Sequence, residues 1–99
     1  MSVDVKLDER IKVDFKEPKK YKVIFLNDDA TPMEFVIDVL VNIFKHTKDS
    51  AMQITMQVHE EGSGVVGVYS HEVAEMKANE TVTLSRNHGF HLQIKLEEG

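Results

Sequence analysis

The sequence predicts a two-layer α+β domain in which a three-stranded antiparallel sheet carries three helices on one face, in the order βααβαβ. Three observations predict it. Tyr21-Lys22-Val23-Ile24-Phe25-Leu26 is a short apolar run of strand length, and Phe90, Leu92, Ile94 and Leu96 alternate with His91, Gln93 and Lys95 at the period of a half-buried strand. Between them, apolar residues recur at helical spacing. Turn and cap residues separate these segments.

The first strand, residues 21–26, is apolar on both faces and is the best candidate for the central position. The polar run Asn27-Asp28-Asp29-Ala30 ends it, and Thr31-Pro32-Met33-Glu34 starts a helix with a T-x-x-E capping box and proline at the first helical position. In that helix Met33, Val36, Ile37, Leu40, Ile43 and Phe44 share a face, opposite a polar stripe of Glu34, Asp38, Asn42 and Lys45. A second helix begins near Thr47, where Ala51, Ile54, Thr55 and Val58 repeat, and stops at Gly62. Met52, Met56 and His59 lie beside that stripe. Residues 64–69 read as a β-branched strand, Ser70 as the N-cap of a third helix reaching about residues 87–89, and residues 90–96 as the last strand.

The 99 residues suffice for one domain, and 41% hydrophobic with 29% charged content is that of a globular protein. Residues 1–20 differ: charges of both signs interleave with Val3, Val5, Leu7, Ile11, Val13 and Phe15, as in a flexible N-terminal extension, with an edge strand as the other reading of the alternation. They hold six Lys/Arg and five Asp/Glu, which leaves six against twelve for the domain at residues 21–99. An acidic domain without a basic cluster argues against nucleic acid. The absence of cysteine excludes disulfides and thiolate metal sites, and no segment matches a membrane span or a secretory leader. A cytoplasmic protein is expected.

Catalytic signatures are missing. The chain has no H-E-x-x-H, Walker loop, G-x-S-x-G or dinucleotide fingerprint. His59 and Asp28 would suit a base and its orienter, but no nucleophile stands beside them, and the histidines lack ligand spacing. The expectation is neither an enzyme nor a metal or cofactor protein. The polar loop between a strand and a helix is instead placed for recognition.

The residues Tyr-Lys-Val-Ile-x-Leu-Asn-Asp-Asp-x-Thr-Pro-Met-Glu-Phe-Val at 21–36, Val58-His59 before Glu60-Glu61-Gly62, Gly67-Val68-Tyr69, and Glu72-Val73-Ala74-Glu75-x-Lys77 resemble the ClpS adaptor family. The resemblance covers residues 21–96. It implies a non-catalytic domain that captures proteins with a bulky apolar N-terminal residue and hands them to an AAA+ unfoldase of the ClpA or ClpC type for degradation by ClpP. By that resemblance Asn27, Asp28 and His59 hold the free α-amino group. An ammonium offers three donors, so it needs acceptors around it, and imidazole accepts only when neutral. Leu26, Asp29, Thr31, Met33, Val36, Thr55, Val58 and Leu92 match the pocket for a Leu, Phe, Tyr or Trp side chain, with Met33 as gatekeeper at its mouth.

Glu72 and Lys77 match positions that dock on the unfoldase's N-terminal domain, and are expected as an exposed pair on the third helix. Residues 1–20 match the family's flexible extension. Departures stand at three places, one of them Ala30, where the family commonly has a larger residue. Thr55 occupies a position where the family has methionine, which implies a wider or more polar pocket, and Phe90-His91 replaces a usual His-Pro. The alternative reading is an interaction module like the C-terminal domain of the ribosomal stalk protein, which binds through helix faces and needs no polar mouth.

Overall fold

The computed structural model describes residues 19–99. The flexible extension expected over residues 1–20 therefore lies outside the described residues, apart from its last two. Of these, Lys20 already belongs to the first strand, and Lys19 pairs with Glu98 at 3.2 Å beside the last one.

β1 (Lys20–Leu26) is the central strand of a β2-β1-β3 sheet, with β2 (Ser63–Ser70) and β3 (Gln93–Glu98) antiparallel to it on either side. Val23 and Phe25 point inward and are fully buried. Their cross-strand partners Leu96 and Ile94 extend the same face. Ile24, with Val65 and Lys95 opposite it, lies on the other face, where Val65 and Lys95 are exposed. The period-2 alternation of strand side chains thus separates a helix-covered face from an open one. The register shifts between Val23 and Ile24, a bulge in the β1–β2 pairing.

Helix α1 (Met33–Asn42) buries Val36, Val39 and Leu40 in the core that holds Val23 and Phe25, and the Phe25 and Phe44 rings meet edge to face at 5.5 Å. The helix is shorter than its apolar pattern predicts. Lys45 adopts a left-handed φ of 60°, and the His46 N–H turns back to the Leu40 carbonyl at 3.0 Å, a helix stop of the αL kind. Ile43 and Phe44 remain in the core as part of that turn. His46 then bridges two elements: its ring nitrogens lie 3.1 Å from Ser50 Oγ and 2.5 Å from the Val66 carbonyl.

Helix α2 (Lys48–Glu61) is capped as the sequence predicts, with the Thr47 hydroxyl accepting from the Ser50 N–H at 3.1 Å and Gly62 ending it at φ 90°. Helix α3 (His71–Asn87) starts at Ser70, whose hydroxyl accepts from the Val73 N–H, and packs across all three strands.

Two expectations change. The capping box at the start of α1 does not form: Pro32 itself is the N-cap, without a side-chain bond, and the Thr31 hydroxyl donates to Asp28 at 2.8 Å instead. The last strand starts at Gln93 rather than Phe90, because the end of α3 takes the backbone groups of residues 90–92. Phe90 N–H donates to the Ser85 carbonyl at 2.9 Å, and Leu92 N–H to the Ser85 hydroxyl at 3.1 Å.

Nothing lies within 4 Å of a Cβ built at Gly62, so a side chain there meets only its own left-handed backbone. Gly62→Ala should lower stability by about 1–2 kcal/mol, seen as a reduced midpoint with an unchanged slope in urea unfolding.

Candidate functional site

The end of β1 and the end of α2 are joined by backbone. Leu26 pairs with Ser63, and the next residue, Asn27, donates its N–H to the Gly62 carbonyl at 2.9 Å. Gly62 follows the last turn of α2, which carries His59. The carboxamide and the imidazole thereby face one cavity of about 210 Å³, lined by Leu26, Asn27, Asp28, Asp29, Thr31, Met33, Val36, Thr55, Val58, His59 and Leu92. Every pocket and amine-binding residue expected from the sequence lies on that lining.

Burial divides the lining into floor and rim. Val36, Thr55, Val58 and Leu92 are each less than a tenth exposed and form the floor, while Leu26 is half-buried. Asn27, Asp29 and His59 are exposed, and Met33, 37% exposed at the first position of α1, stands at the mouth. Apolar depth with a polar rim is the ordinary form of a binding pocket. The volume is below the roughly 300 Å³ at which small-molecule sites begin, so this cavity suits one side chain rather than an extended ligand.

The Asp28-to-Thr31 loop is held by one carboxylate. Asp28 Oδ1 accepts from the N–H groups of Ala30 at 2.8 Å and Thr31 at 2.7 Å, and Oδ2 accepts from the Thr31 hydroxyl. These bonds engage three of about four acceptor positions on the carboxylate. Burial alone would raise its pKa, but the Thr31 hydroxyl, the two backbone N–H groups and the positive charge of His91 outweigh it and hold the pKa below the ordinary value. Asp28 is therefore anionic and fixed in place. Among the described residues the Asn27 and His59 side chains make no hydrogen bond to protein, so their polar atoms stand free at the rim.

The Thr55 departure does not make the floor more polar. Its hydroxyl donates to the Ala51 carbonyl at 2.7 Å, within its own helix, so no unsatisfied polar group is added to the pocket.

Residues 16–95 match the family described as ATP-dependent Clp protease adaptor protein ClpS. The chain belongs to the ClpS family, the adaptors of the ATP-dependent Clp protease. It is 43% identical over 100 residues to the ClpS adapter protein of Clostridium acetobutylicum, covering 99% of each chain. It is 47% identical over 90 residues to that of Burkholderia cenocepacia, covering 91% of this chain and 86% of the relative. Among solved structures it is similar to Agrobacterium tumefaciens ClpS2 bound to L-phenylalaninamide, with a TM-score of 0.81 and 42% identity over 84% of this chain and all of that one. The ClpS family is one of adaptors rather than enzymes, and its α+β fold is the one seen here. Membership decides against the ribosomal-stalk reading. Among the described residues no cluster of His, Asp and Glu could hold a metal, and no helix is long and apolar enough to cross a membrane.

The two expected docking residues of this ClpS-family domain differ from each other. Glu72 is exposed in the first turn of α3. Lys77, expected beside it as an exposed residue, is half-buried: its Nζ donates to the Ile43 carbonyl at 2.7 Å and lies 5.3 Å from the Tyr69 ring centre and 5.8 Å from that of Phe44. The fold uses its charge to satisfy the last carbonyl beyond α1. Sequence reasoning also missed Ser85, whose hydroxyl holds the backbone of Leu92 and so fixes one wall of the pocket. No local pattern marks a contact seven residues away across a turn.

A depressed carboxyl pKa in the folded state stabilises the fold above the unfolded value, 3.8 for this group, and that stability is lost as pH falls through the folded value. Unfolding free energy of the wild type should therefore drop more steeply below about pH 4 than that of Asp28→Asn. Parallel acid profiles in urea unfolding would contradict this.

Proposed function

We propose that the cavity at the end of β1 captures proteins by their N-terminal residue, for delivery to the Clp protease. The observation that carries this reading is the pairing of an apolar floor with free acceptors at its rim. Asn27 Oδ1 and an imidazole nitrogen of His59 accept from the ammonium, and the fixed Asp28 carboxylate adds negative charge and its remaining acceptor position. The side chain of the first residue, Leu, Phe, Tyr or Trp, fills the space above Val36, Thr55, Val58 and Leu92. Asp29 and Thr31 shape its rim, with Leu26 at the side. Met33 crowds the entrance against side chains branched at Cβ. The L-phenylalaninamide on Agrobacterium tumefaciens ClpS2 supports the reading, since that ligand offers a free amino group and an aromatic side chain on one carbon.

Burying such a side chain gains about 1.5–3 kcal/mol, and each charge-assisted hydrogen bond about 1.5–3 kcal/mol. Association offsets much of the sum, which leaves affinities of roughly micromolar order. A weak, exchangeable grip suits an adaptor that must release its cargo. In this reading the cargo passes to a ClpA- or ClpC-type AAA+ unfoldase in the cytoplasm. Glu72 contacts the unfoldase's N-terminal domain, Lys77 shapes the same surface, and residues 1–20 act in delivery as the extension.

A peptide beginning with a free Phe should bind in fluorescence anisotropy, and the same peptide acetylated at its amino group should bind at least tenfold more weakly, the loss of about 1.4 kcal/mol or more. Equal binding would refute the amino-group pocket. His59→Ala deletes an acceptor, so affinity for the free-Phe peptide should fall severalfold in the same assay.

The space beside Thr55 sets the size limit. Thr55→Met should shrink the floor and weaken peptides beginning with Trp more than those beginning with Leu, in a titration of peptides that differ only in residue one. Equal losses for Trp and Leu would place Thr55 outside the side-chain site.

A further inference from the structure

Across the wall formed by Leu26 and Leu92 lies a second cavity, of about 380 Å³, between the last turns of α3 and the start of β3. Leu26, Leu92, Phe90 and Ile94 supply its apolar side, and among the described residues its charged or titratable lining groups are Arg86 and His91. Among the described residues no carboxylate lines it, although residues 21–99 carry twelve Asp/Glu against six Lys/Arg. Arg86, exposed in the last turn of α3, has no ion-pair partner among the described residues. His91 is exposed and lines the same cavity, next to the shared wall residue Leu92.

An extended peptide directs residues one and three to the same side, about 7 Å apart. The two cavities share the wall residues Leu26 and Leu92 and so lie side by side. We propose that the second cavity is a subsite for the third residue of the captured chain, and that Arg86, with His91 beside it, favours an acidic side chain there. The proposal rests on the N-terminal capture described above and assigns that site a further specificity. A guanidinium pairs a carboxylate through two parallel hydrogen bonds, which a lysine at the third position would replace by like-charge repulsion. Because Arg86 is solvent-exposed, the gain is small, about two- to fivefold in affinity.

The test uses peptides with N-terminal Phe that differ only at residue three, as Glu, Gln or Lys, bound to the full chain at low ionic strength. The expected order is Glu tighter than Gln, and Gln tighter than Lys. Arg86→Gln should collapse the Glu-to-Lys ratio while the Gln peptide binds as before, and added salt should shrink the ratio in the wild type. A flat ranking, a preference for Lys, or a Glu preference that survives Arg86→Gln would overturn the subsite. If the Gln peptide binds and the ranking is flat, the subsite alone falls. If the Gln peptide does not bind the wild type at all, N-terminal capture falls and the subsite with it.

Discussion

The hydrogen bond from the Asn27 N–H to the Gly62 carbonyl, 2.9 Å long, fixes the geometry on which the pocket depends. It fastens the residue after β1 to the residue after α2, so a carboxamide and an imidazole 32 positions apart in the chain share one rim. Gly62 makes this possible by taking φ 90°, which lets α2 stop and β2 begin without a longer loop. The adjoining pairing of Leu26 with Ser63 continues the tie into the sheet. The acceptors are thus set by backbone, and their side chains stay unengaged.

The remaining rim is built by competition for one hydroxyl. Thr31 could cap α1 or bond to Asp28, and the fold takes the second course. This leaves Pro32 as an unassisted N-cap, whose carbonyl still accepts from the N–H groups of Phe35 and Val36 at 3.1 and 3.3 Å. In exchange, the loop acquires a carboxylate held by three donors and kept ionised. Rigidity at the rim reduces the ordering cost of binding.

Much of the fold was legible in the sequence because its signals are local. The Thr47 and Ser70 caps, the Gly62 stop and the central place of the apolar strand all follow from residues within a few positions of one another. The early end of α1 comes from the left-handed turn at Lys45, and the other misreadings share one physical cause, a polar group that competes for the partner the pattern assigned. Asp28 draws Thr31 away from the capping box, Ser85 draws residues 90–92 out of the strand, and the Ile43 carbonyl draws Lys77 inward from 34 positions away. For the site, the resemblance to the ClpS family named each residue that lines the cavity. The burial that separates floor from rim, and the second cavity past Leu92, depend on tertiary packing that no periodicity reports.

In the proposed function one cavity holds a positive terminus at its rim and an apolar group at its floor. The most direct measurement is amide and side-chain chemical-shift mapping of the protein titrated with L-phenylalaninamide. Shifts should concentrate on Asn27, Asp28, Thr31, Thr55, His59 and Leu92, and should be absent with the N-acetylated compound. Shifts centred elsewhere, for example on the exposed face of Met52 and Met56, or shifts that are the same for both compounds, would contradict it.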